Sequence, residues 1–238
     1  MSRAMVIAKR EMSSYFFSPI AYVAMTLFLL AAGLIFWNDF VPGQPAALRN
    51  LFEWMVWLLT FVVPILCMGL LAQEWSSGTI ETLMTAPVDE GDVIVGKFLG
   101  AVGFFLVLLA PTLIYVIMLR LYAQPDLGPI LSGYLGIVLV GALFISIALF
   151  CSSLTRSHVI AAVMAAAILC AVTILPWVVT SFASIPELLR KIMDQSVFHR
   201  YMDFSKGVID MGNLVFFVAT TAVFLFLTVK VLESRRWK

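Results

Sequence analysis

Apolar residues come in six long runs separated by short polar breaks. The runs fall at about Pro19–Trp37, Trp54–Leu71, Val93–Leu121, Leu131–Leu154, Val159–Thr180 and Leu214–Leu232. A hydrocarbon core of about 30 Å calls for about 20 residues of helix, and every run supplies that length or nearly so. Lipid offers no partner to a backbone N–H or C=O, so each run must satisfy its own polar groups as a helix. The pattern predicts an all-α membrane protein with six transmembrane helices.

The breaks carry a periodicity of their own. In residues 1–18, Met5, Ala8, Met12 and Tyr15/Phe16 recur at near-helical spacing with Arg3, Lys9 and Arg10 between them. This suits an interfacial helix, although a frayed basic tail is the alternative. Pro19 then turns the chain into the membrane. In the break at 72–92, Ile80, Leu83, Met84 and Pro87 share one face at i, i+3, i+4 and i+7. Gly78 is placed to open that helix, Glu81 lies near its positive end, and Pro87 stops it. A helix shorter than about 12 residues is marginal in water, so its apolar face needs a partner, either this chain's own spans or another protein.

Two further breaks are informative. "SSLTRSH" places Thr155, Arg156 and Ser157 in a short loop on the same side as 72–92. The long break at 181–213 opens with Ser184-Ile185-Pro186-Glu187, a capping spacing with Pro in the first turn. Ile185, Leu188, Leu189, Ile192, Met193, Val197, Tyr201 and Phe204 then follow a helical stripe. The expectation is an amphipathic extracytoplasmic helix lying on, or dipping into, the outer leaflet.

Composition agrees with one polytopic domain over 1–238. The chain is 62% hydrophobic and 12% charged with a mean hydropathy of +1.03, against roughly 45–50% and about 25% in soluble domains. A net charge of +1 gives no reason to expect nucleic acid as a partner. An even number of spans puts both termini on one side. With that side inside, Arg3, Lys9, Arg10, Lys97, Arg156, Lys230, Arg235, Arg236 and Lys238 lie within, and Arg49, Arg120, Arg190, Lys191, Arg200 and Lys206 lie without. The excess favours cytoplasmic termini. The first run continues past "LLAAG" through Leu34, Ile35, Phe36 and Trp37, so it is expected to remain as an uncleaved span.

Candidate chemistry inside the membrane is sparse. The middles of the six runs hold no Asp, Glu, Lys or Arg, which argues against an ion-coupled pump, since such proteins keep charged relays there. No P-loop, GxSxG or HExxH occurs. His158 has no carboxylate near it in sequence, and His199 with Asp203 reads better as a solvated polar face than as half a metal site. Cys67, Cys151 and Cys170 have no ligand or disulfide spacing and read as small buried hydrophobes. Gly96, Gly100 and Gly103 have the spacing that permits close helix packing.

The segment "QEWSSGTIETLMTAPVDEGDVIVGKFLG" resembles the cytoplasmic loop of ABC-2 type permeases, the membrane subunits of ABC transporters. The matching positions are Glu74, Gly78, Thr79, Ile80, Glu81, Leu83, Met84, Pro87, the acidic Asp89/Glu90 and Lys97. Trp75 departs from the pattern, standing where the family often has a basic residue. The N-terminal "AKREMSSYFFSPIAYV" is similar to the branch linked with gliding motility and with maturation of nitrous oxide reductase.

The resemblance implies a six-span bacterial inner-membrane protein whose N-terminal segment is an elbow helix. It further implies that residues 78–86 form a coupling helix seated in a separate ABC ATPase subunit, which would hold the ATP and Mg. This chain would then carry no catalytic site and no cofactor of its own, and would pair with a second permease chain, identical or different. Export of an amphiphilic or polymeric substrate is the expected role. The alternative is a non-transporting subunit that passes ATP-driven motion to an extracytoplasmic accessory protein. Membrane lipids are expected partners in either case.

Overall fold

The computed structural model describes residues 3–40, 48–78, 89–122, 125–181 and 195–236, and all regular structure among them is helical. Six helices are long and apolar enough to cross a membrane, matching the six apolar runs. An N-terminal helix α1 (Arg3–Phe16) precedes the first span, α2 (Pro19–Asp39). Ser18 is extended and Pro19 stands at the first helical position, where its missing N–H costs nothing. The second span is α3 (Arg49–Cys67), followed by a turn and the short α4 (Ala72–Ser77).

The third span runs from α5 (Glu90–Leu109) through one tight turn at Ala110–Thr112 into α6 (Leu113–Tyr122). Pro111 sits in that turn, where a proline both withholds an N–H and crowds the preceding carbonyl. The fourth and fifth spans are α7 (Leu127–Leu154) and α8 (His158–Ser181). A short α9 (Val197–Ser205) leads to the last span, α10 (Met211–Arg236).

The hub is α7. In its most apolar stretch 72% of residues are buried, against 17% for α10, and α3, α5, α8 and α10 all pack on it, while α2 packs on α3. Its glycines make this possible by admitting aromatic rings to the backbone: a methyl at Gly133 would meet the Phe52 ring at 2.5 Å, and one at Gly136 would meet Phe204 at 2.8 Å. Gly141 receives Phe105 from α5 in the same way. Aromatic side chains bury the largest apolar areas, so these ring-to-backbone seats fix the register of α3, α5 and α9 on the hub. The outward surfaces of α2 and α8 stay apolar, with Leu27, Leu30 and Leu34 on one and Val159, Ile160 and Val163 on the other.

The same device, here admitting a helix backbone as well as side chains, holds α1. A methyl on Gly96 would meet the Ala4 carbonyl and Ile7 Cβ at 2.8 Å. On Gly100 it would meet Glu11 Cβ at 2.7 Å, and on Gly103 Met12 Sδ at 3.0 Å. The small-residue face of the third span is therefore the seat of the N-terminal helix. Tyr15 adds a ring stacked on Phe104, with centroids 4.7 Å apart. Gly100→Val should overpack this seat and cost about 1–3 kcal/mol, read as a lower thermal midpoint of the purified protein. Gly91→Ala, with nothing within 4 Å of its Cβ on the same helix, should leave the midpoint unchanged or raise it.

Candidate functional site

The face that α1 presents to α5 is Ala4, Ala8 and Tyr15, all buried, with Glu11 on the same stripe. An acid on a buried stripe needs a cation, and Lys97 supplies it. The Lys97 side chain is only 2% exposed, and its Nζ lies 2.8 Å from Oε1 of Glu11 and 2.8 Å from Oε1 of Glu74 on α4. Arg10 Nη2 approaches the same two oxygens at 3.4 and 3.7 Å from a largely exposed position. The cluster balances two carboxylates with two cations and ties together α1, α4 and α5. An unpaired ammonium so placed would be costly, so each carboxylate is held by necessity. The exposed Arg10 contributes little beyond charge balance.

Two buried tyrosines lie outside the spans. Burial pushes the Tyr15 phenol well above its ordinary range, with the Cys67 thiol and the Glu11 carboxylate adding to the effect. At the other end of the bundle burial does the same to Tyr201, helped by Glu53 and Tyr134. Both therefore stay neutral across the physiological range.

A hydroxyl on the hub sets the position of α4. Ser152 Oγ accepts from the backbone N–H of Leu71 at 3.1 Å and of Ala72 at 3.0 Å, and donates to the Met68 carbonyl at 3.1 Å. One side chain thus satisfies the groups freed where the second span breaks, at a buried site. Trp75 packs, partly buried, against the apolar core, which gives its departure from a basic residue a structural role. Gly78 closes α4 in the left-handed conformation, φ 71°, a cap that glycine adopts without a Cβ penalty. Gly78 thus ends α4, and the helix expected to open at it lies outside the described residues.

Thr79, Ile80, Glu81, Leu83, Met84 and Pro87 lie outside the described residues, as does the expected start of the outer helix at Ser184. Thr155, Arg156 and Ser157 form the turn into α8. Thr155 Oγ1 accepts from the Ser157 N–H at 3.1 Å, the Ser157 carbonyl accepts from Ala161, and Arg156 is exposed. His158 packs over Gly69, which brings this turn beside the break in the second span. Glu74, Gly78 and the 155–157 turn therefore gather at the end of the bundle that carries α1.

At the opposite end α9 buries the predicted face Val197, Tyr201 and Phe204 against α3 and α7, and the earlier part of the expected stripe, Ile185, Leu188, Leu189, Ile192 and Met193, lies outside the described residues. Asp203 accepts from the Asn213 amide at 3.0 Å, and Asn213 Oδ1 accepts from Arg200 at 2.9 Å. Asp203 is thus engaged in a helix-to-helix chain. Among the described residues no three of His, Cys, Asp and Glu converge in a metal-like group.

Sequence reasoning missed Glu11 and Ser152, and placed Lys97 at the start of the third span without a partner. The stripe of α1 held one signal, since Glu11 follows Ala4 and Ala8 at helical spacing. Ser152 gave none, being one hydroxyl among several near a span end. Lys97→Met should cost about 3–5 kcal/mol by leaving two partly buried carboxylates with only Arg10. Ser152→Ala should cost about 1–3 kcal/mol by orphaning two buried N–H groups. Thermal unfolding of the two variants beside wild type checks both values, and equal midpoints would contradict them.

The family model described as ABC-2 family transporter protein matches residues 5–237. No curated protein matches the chain. With six membrane-crossing helices over nearly the whole of that match, the chain belongs to the ABC-2 family of transporter proteins.

Proposed function

We propose that this single transmembrane domain, residues 1–238, is the permease subunit of an ABC transporter and that a separate ATPase subunit docks on the loop after Gly78. Glu74, Gly78, Thr79, Ile80, Glu81, Leu83, Met84 and Pro87 form the docking segment, with Thr155, Arg156 and Ser157 beside it. ATP and Mg reside on the partner, and this chain supplies motion rather than catalysis. Both termini lie in the cytoplasm of a bacterial inner membrane, and two permease chains pair to enclose the path. The resemblance of the N-terminal segment favours the gliding-motility and nitrous-oxide-reductase-maturation branch.

The observation that carries this reading is the ion cluster immediately ahead of the loop. Glu74 lies four residues before Gly78 and binds Lys97, which also binds Glu11. A displacement of the loop pulls on α4, and the shared ammonium passes it to the third span and to α1 together. Ser152 makes α4 pivot against the hub instead of sliding. Because the spans carry no charged relay in their middles, an amphiphilic or polymeric cargo fits better than a bare ion, with export as the direction.

A second reading has its own support. Trp57 of α3 contacts Phe198 of α9, centroids 5.4 Å apart, so the helix that ends at the docking loop also touches the outer helix. Motion of α3 then reaches an extracytoplasmic partner with no cargo crossing. Flux of a defined amphiphile into vesicles separates the two readings.

Leu83→Asp with Met84→Asp should reduce co-purification of the ATPase at least tenfold while leaving the permease folded. Undiminished association would remove the docking assignment. Cysteines at Ser77 and Lys206, both exposed, should label from opposite faces of the membrane, and labelling from one face would overturn the topology.

A further inference from the structure

The elbow between α1 and α2 encloses, with the break in the second span and the first residue of α8, a cavity of about 550 Å³ open on one side. That volume falls within the roughly 300–1,000 Å³ of small-molecule sites. Its lining divides by chemistry. Glu11, Ser14, Ser18, Gln73 and His158 bring carboxylate, hydroxyl, amide and imidazole groups, and Ile20, Ala21, Ile65 and Leu66 bring an apolar wall. The level of the cavity follows from the helix ends around it: α2 begins at Pro19, α3 ends at Cys67 and α8 begins at His158. The cavity thus straddles the boundary between hydrocarbon and water. At its mouth Phe17 is 88% exposed, with Ile20 and Ile65 also outward, as expected of a mouth that opens to acyl chains.

We infer that this cavity binds the headgroup of a zwitterionic membrane phospholipid carrying a primary ammonium, of the ethanolamine type. Charge selects the class. Among the described residues the lining contains no Lys or Arg, and the charge of Glu11 is already balanced by Lys97 and Arg10 behind it, so a headgroup of zero net charge suits the site better than an anionic one. Its one carboxylate, Glu11, accepts Lys97 and Arg10 both at Oε1, leaving Oε2 without a hydrogen bond among the described residues. An ammonium has three donors and needs such an acceptor. The hydroxyls of Ser14 and Ser18, the Gln73 amide and the His158 imidazole serve the phosphate, while the apolar wall takes the start of the acyl chains. A bound headgroup would contact Glu11 directly and so reach the ion cluster from the membrane side. The lipid site itself does not depend on the ATPase-docking reading.

Native mass spectrometry of the full-length protein, released from mixed-lipid nanodiscs holding equal phosphatidylethanolamine, phosphatidylcholine and phosphatidylglycerol, tests this without any ATPase. The expected result is one retained ethanolamine lipid per chain at five times or more the level of either competitor. Ser18→Leu with Gln73→Leu should lower that retention at least fivefold, while Leu99→Ala, on an exposed face of the third span, should not change it. Comparable retention of all three lipids would overturn the inference, and so would undiminished retention in the double variant. Displacement by soluble phosphoethanolamine at concentrations matching the lipid would also overturn it, since the acyl chains would then add nothing.

Discussion

A lysine ammonium buried where the third span meets the membrane boundary must have carboxylates beside it, and much of this end of the molecule is arranged to supply them. Desolvating a cation costs several kcal/mol, and only close opposite charge offsets that cost. Lys97 takes one carboxylate from α1 and one from α4, both at 2.8 Å. The helix α1 lies outside the membrane-crossing set and α4 is the end piece of the second span, and each is fixed to the third span by this contact. The glycines of α5 serve the same end, since only a helix without side chains at Gly96 and Gly100 lets α1 approach closely enough for Glu11 to reach Lys97. Packing and electrostatics are therefore one constraint here.

The second constraint is the break in the second span. A helix interrupted near the membrane boundary exposes N–H and C=O groups that lipid cannot satisfy. Ser152, from the most buried helix, satisfies them at Met68, Leu71 and Ala72. The short α4 is thus held at its start by a hydroxyl, in its middle by Lys97, and ended by the left-handed Gly78. Pinned at two points, α4 is held to the hub and to the third span at once. Near the middle of α3 the contact of Trp57 with Phe198 joins this span to α9.

How much of this could be read from the residues depends on the range of the interaction. Span number, the amphipathic α1 and the buried face of α9 follow from local periodicity, because a 3.6-residue repeat and a run of about 20 apolar residues are properties of a few turns. The glycine series announced close packing but not its occupant, since small residues serve any neighbour. Glu11 and Lys97 stand 86 residues apart and Ser152 stands 81 from Leu71. No local pattern links such positions, and only the fold brings them together. Gly78 was legible as a breaker, but the helix it closes was not, since the six residues AQEWSS, polar or small apart from Trp75, scarcely signal one.

The central claim is that α1, α4 and the third span move as one body through the shared ammonium. The most direct test is a double-mutant cycle with Glu74→Gln and Lys97→Met in reconstituted complexes, read as cargo moved, or partner displacement, per ATP hydrolysed. The account predicts strong non-additivity, each single variant lowering that ratio about as much as the pair. Independent, multiplying effects of the two substitutions would contradict it.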